Sequence, residues 1–78
     1  MTDDEAFREF VINRWNALLH RAYLLTGDRG AAEDLVQTTL ERMHRRWDRI
    51  RTRDAPEYYA RQVMINLVIS SSRGQPAA

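Results

Sequence analysis

The chain reads as all-α, a three-helix bundle with a long second helix. Three observations predict this. Apolar residues recur every three or four positions along most of the 78 residues, the period of a one-faced helix. Helix-stopping and helix-starting chemistry interrupts that period at two places, around Gly27-Asp28 and around Asp54-Pro56. With no cysteine to supply disulfides or thiolate zinc sites, the small core must hold by packing alone.

The first helix runs from Asp3 to Leu25, with Phe7, Phe10, Val11, Trp15, Leu18, Ala22 and Leu25 advancing along one face. Thr26-Gly27-Asp28 ends it: glycine suits a left-handed helix terminus, and aspartate can accept hydrogen bonds from the free amides of the next helix. The second stripe, Ala32, Val36, Thr39/Leu40, Met43, Trp47 and Ile50, keeps its spacing for most of two dozen residues, or roughly 35 Å of helix. Arg51-Thr52-Arg53 breaks the pattern. Asp54-Ala55-Pro56-Glu57 then resembles a capping box with proline in the first turn, where its missing amide costs little. The third helix continues through Tyr58, Tyr59, Val63, Met64, Leu67 and Ile69. One domain spans residues 1–73, and residues 74–78 read as a flexible C-terminal tail without packing signal. The expected core is Phe7, Phe10, Trp15, Met43, Trp47, Val63 and Leu67.

No apolar stretch approaches the ~20 residues of a membrane span, and the acidic start Met1 to Glu5 is the opposite of a signal peptide's basic one. The expectation is a cytoplasmic protein. Catalysis needs converging groups, and few are found. Glu41 and His44 lie three apart, yet a carboxylate-bridged metal site needs a second such pair, and His20 is isolated. Ser70 to Ser72 lack a nucleophile turn, and there is no glycine-rich phosphate loop. The chain is read as no enzyme, with no catalytic residue, no metal ligand and no cofactor.

The net charge of +1 hides a division. Residues 1–41 hold four arginines against eight acids, and residues 42–78 hold eight arginines against three acids. Arg42, Arg45, Arg46, Arg49, Arg51 and Arg53 crowd the end of the second helix and the residues after it. Cations there offset the negative end of a helix dipole, but six exceed that need and invite a polyanion. Tyr58, Tyr59 and Arg61 follow at once and offer stacking faces beside the charge. Asn66 sits in an apolar run, where its amide must either bond a neighbour or point outward, and Arg61, Asn66, Ser70 and Arg73 fall in one broad sector of the third helix. On the second helix Asp34, Gln37, Thr38, Glu41 and Arg45 recur by three or four between the inward positions, a polar stripe that is either simply solvated or gripped by a partner helix.

The segment Gly27-Asp28-Arg29-Gly30-Ala31-Ala32-Glu33-Asp34-Leu35-Val36-Gln37-Thr38-Thr39-Leu40-Glu41-Arg42 resembles region 2 of extracytoplasmic-function sigma factors, of actinobacterial type, where an A-E-D-L-V-Q-x-T run opens the polymerase-binding helix. Tyr59 to Ser70, an apolar run around a central asparagine, is similar to the family's promoter-reading helix. The resemblance extends from about Phe7 to Arg73 and implies a role without covalent chemistry. Asp34, Gln37, Thr38, Glu41 and Arg45 would dock on the clamp helices of the largest catalytic subunit of core RNA polymerase. Arg49, Arg51, Arg53, Tyr58, Arg61, Asn66, Ser70 and Arg73 would bind promoter DNA, accepting a base flipped from the non-template strand of the minus-ten element. Arginines would position phosphates and Asn66 would read a base edge. An anti-sigma factor is a further partner the resemblance implies, and a membrane is not.

Many relatives carry an aspartate four residues after the asparagine and then paired arginines, where this chain has Ser70, Arg73 and Gly74. The family's second helical domain, which reads the minus-thirty-five element, has no counterpart in these residues, so the chain is read as an excised domain or a region-2-only protein. The rival reading is a helical adaptor or regulator that uses the same stripe to bind polymerase or an anti-sigma factor without reading DNA.

Overall fold

Two residues suffice to reverse the chain after its first helix, and their conformations follow from their side chains. Gly27 adopts φ 73°, a left-handed backbone that costs glycine nothing, and its N–H still bonds the Tyr23 carbonyl at 2.7 Å. Asp28 is extended and its Oδ2 accepts a hydrogen bond from the Ala31 N–H at 2.8 Å, capping the next helix. The Thr26 hydroxyl closes the turn by donating to the Ala22 carbonyl at 2.9 Å. In the computed structural model, which describes residues 3–53 and 55–73, this turn joins α1 (Asp3–Thr26) to α2 (Arg29–Arg45). Two further helices follow, α3 (Trp47–Arg53) and α4 (Pro56–Arg73), and no described residue is in a strand.

The protein is thus all-α, as expected, but it has four described helices rather than three, and the long second helix is divided. α2 has 17 residues, fewer than the 24 of α1. The division falls at Arg46, without glycine or proline. Its N–H bonds the Met43 carbonyl at 3.1 Å, tightening the last turn of α2, while its own carbonyl accepts from the Arg49 and Ile50 amides at 3.1 and 3.0 Å and so starts α3. A single non-helical residue leaves Met43, Trp47 and Ile50 all facing inward, which is why apolar periodicity ran straight through the break. Arg51, Thr52 and Arg53, expected to end the helical pattern, continue it: the Thr52 hydroxyl bonds the Asp48 and Arg49 carbonyls, both at 3.1 Å.

α4 opens with Pro56 in its first turn, where the absent amide is no loss, and the Ala55 carbonyl accepts from the Tyr58 and Tyr59 amides. Asp54, the expected cap, lies outside the described residues, as does the 74–78 tail. Glu57 lies 3.6 Å from Arg14, an exposed ion pair between α4 and α1.

The core is built on α2, whose Ala32, Val36 and Met43 are fully enclosed between α1 and α4. Leu18 and Ala22 of α1 and Ala60 and Met64 of α4 meet them. At the other end of this layer the Trp47 ring packs edge-on against Phe7, centroids 5.1 Å apart, and against Phe10 at 5.4 Å. Of the expected core, Met43 and Trp47 are buried, and Phe7, Phe10, Trp15, Val63 and Leu67 are partly so. Three stripe positions fall outside it: Leu25 is 38% exposed, Ile69 46% and Tyr58 60%. Leu25 and Ile69 lie close to helix ends, and Tyr58 opens α4 about 160° around that helix from the inward Ala60.

One buried group has no partner that would stabilise it. The Thr39 hydroxyl is completely enclosed and makes no hydrogen bond among the described residues. Thr39→Val keeps the shape and removes the stranded oxygen, so it is expected to stabilise the fold by about 1 kcal/mol, seen as a rise of roughly 4–8 °C in Tm. A lower Tm would show that the hydroxyl is bonded in solution.

Candidate functional site

At about 100° per residue, the buried face of α2, represented by Val36, Thr39 and Met43, occupies one side of the helix. Asp34, Thr38, Glu41 and Arg45 fall within roughly 60° on the opposite side, with Gln37 about 40° further round. Four of the five are exposed and Thr38 is half-buried. Asp34, Glu41 and Arg45 have no ion pair among the described residues. The same amphipathicity that builds the core therefore leaves a ridge of mixed charge facing outward.

The ridge has a different neighbour on each flank. Gln37 and Glu41 edge a shallow groove against Phe7 of α1, floored by Leu40. Asp34 and Thr38 edge another, whose apolar wall is Leu67 and Val68 of α4. His44, half of the Glu41–His44 pair, is engaged elsewhere: its Nε2 lies 3.3 Å from Asp4 Oδ1 and its ring 4.9 Å from Phe7. His20 is exposed beside Tyr23 and Arg29. No group of three or more histidine, aspartate or glutamate side chains among the described residues could hold a metal. No described helix is long and apolar enough to cross a membrane.

The arginine-rich segment is helical rather than a bend, with Arg49 and Arg51 exposed on α3. Tyr58 and Arg61 stand exposed in the first turns of α4. The side chains of Arg53 and Arg73 lie outside the described residues. On α4 the expected common sector separates: Asn66 and Ser70 lie about 40° apart, whereas Arg61 is roughly 140° from Asn66. The exposed Ile65 lies between the two.

Asn66 instead looks toward α2. It lines a groove of about 480 Å³ with Arg42, Arg45 and Arg46 of α2, over Tyr59 and Val63. Two residues assigned from the sequence to different partners, Arg45 and Asn66, thus share one groove. Arg42 and Arg46 were not singled out as site residues, although the Arg-x-x-Arg-Arg spacing carried the signal, since positions three and four apart share a helix face. Which part of α4 lies beside them is set by tertiary packing and was not legible in the sequence.

The Sigma-70 region 2 family model matches residues 12–76. The RNA polymerase sigma-E factor of Streptomyces avermitilis is 45% identical over 60 residues, covering 77% of this chain and 34% of that protein. The protein of the same name from Streptomyces coelicolor is 43% identical over the same shares, and that from Streptomyces antibioticus is 42% identical over 77% of this chain and 33% of its own length. The chain therefore spans about a third of the length of these relatives. No solved structure matches it. The matched residues take in all of α2 and α3, the exposed ridge and the arginine-lined groove, and with that coverage the chain belongs to the Sigma-70 region 2 family.

Proposed function

We propose that this chain is the polymerase-binding, minus-ten-recognising module of an alternative sigma factor, directing core RNA polymerase to a promoter. The observation that carries the reading is the outward ridge of α2, whose charged groups have no intramolecular partner among the described residues although the opposite face is fully enclosed. Asp34, Gln37, Thr38, Glu41 and Arg45 dock on the clamp helices of the largest catalytic subunit. A rigid ridge backed by a packed core pays little ordering cost on binding, which favours a specific contact over a loose one.

The DNA surface is made by α3 and α4. Arg49, Arg51, Arg53 and Arg61 hold phosphates of the non-template strand, and Tyr58 offers an exposed ring to a splayed base. Asn66, Ser70 and Arg73 follow along α4, and Asn66 reads a base edge through its amide. The separation of Arg61 from Asn66 fits two roles rather than one, with phosphate positioning on one side of α4 and base reading on the other.

The two roles separate by mutation. Asn66→Ala is expected to relax base preference in the minus-ten element, each lost base contact being worth about 1–3 kcal/mol, whereas Arg61→Ala weakens binding to all sequences alike and makes the salt dependence shallower. Titrations of single-stranded oligonucleotides with and without the motif check this, and equal loss of discrimination from both variants contradicts the assignment. For the ridge, Glu41→Arg is expected to lower the affinity for core polymerase at least tenfold with unchanged helicity, because it reverses a charge in the contact. Circular dichroism alongside a polymerase pulldown reads both, and unchanged affinity removes Glu41 from the interface.

A further inference from the structure

We infer that the groove between the last turns of α2 and the middle of α4 is a phosphate seat for a nucleotide, formed by Arg42, Arg46 and Arg45 with the Asn66 amide beside them. The inference rests on the DNA-reading role proposed above and adds a site to it. Arg42 lies three residues from Arg45 and four from Arg46, so three guanidinium groups crowd one helix face and repel one another. The dipole at the C-terminus of α2 offsets part of that repulsion. Nothing across the groove offsets the rest: α4 contributes Tyr59, Val63 and Asn66, none of them acidic, and none of the three arginines has an ion pair among the described residues. Guanidinium groups converging without a carboxylate match the planar, bidentate chemistry of a phosphate. The neutral amide at the rim can bond the sugar or base of the same nucleotide. The occupant is a phosphodiester of the promoter single strand, next to the base that Asn66 reads. A free nucleotide polyphosphate offers the same chemistry, and the experiment separates the two.

The test uses the double variant Arg42→Gln/Arg46→Gln, whose side chains are exposed and outside the ridge, so folding and polymerase binding serve as controls. A fluorescent single strand carrying a minus-ten motif is titrated over a range of salt. Inorganic pyrophosphate is titrated separately, following the side-chain NMR signals of Asn66 and the arginines. The expected result is roughly tenfold weaker strand binding by the variant and a salt slope shallower by about 1.4, from ~0.7 per lost phosphate contact. If the variant binds the strand with unchanged affinity and slope, the phosphate seat is overturned while minus-ten reading stands. Groove signals that move with pyrophosphate while the strand fails to bind support the seat, assign it to a free nucleotide and overturn the DNA reading. A wild-type protein whose groove signals move with neither probe overturns the seat outright.

Discussion

The enclosure of one side of α2 sets everything else in this protein. Ala32, Val36 and Met43 have no solvent exposure, and each apolar side chain of this kind contributes about 1.5–3 kcal/mol when buried. In a chain of 78 residues there is little spare core, so α2 has no freedom to rotate about its axis without exposing those residues. That constraint fixes which residues face outward as firmly as which face inward. The ridge from Asp34 to Arg45 is the other half of the same helix, held in place by the packing beneath it.

The ends of α2 then decide what stands beside the ridge. At its start, Gly27 and Asp28 reverse the chain in two residues and lay α1 along α2. At its end, Arg46 breaks the helix so that Trp47 reaches Phe7 and Phe10 on α1 while Ile50 stays buried. This short step, together with the return of the chain through α4, brings Asn66 next to Arg42, Arg45 and Arg46. A surface for protein and a surface for nucleic acid thus adjoin at Arg45, a compact arrangement for a module proposed to hold polymerase and promoter together.

Much of this was legible in the sequence, for identifiable reasons. The all-α class, the Gly27-Asp28 turn and the proline start of α4 follow from local chemistry, and the outward stripe follows from the period of the inward one. The break at Arg46 was hidden because Met43, Trp47 and Ile50 keep helical spacing across it, and no glycine or proline marks it. Leu25, Ile69 and Tyr58 read as inward because periodicity does not register where a neighbouring helix stops. The groove at Asn66 was hidden for a different reason. Its arginines were visible as a cluster, but their partner on α4 depends on how two helices cross, which spacing along one chain does not encode.

The absence of cysteine allows the central claim to be tested with single thiols on an otherwise unreactive chain. Asp34→Cys, Gln37→Cys and Thr38→Cys on the ridge, and Asn13→Cys on the exposed face of α1, would each be alkylated with and without core RNA polymerase. The account requires fast labelling of the ridge thiols in the free protein and strong protection when polymerase is present, with the α1 thiol unaffected. Ridge thiols that label equally fast in both states would contradict it.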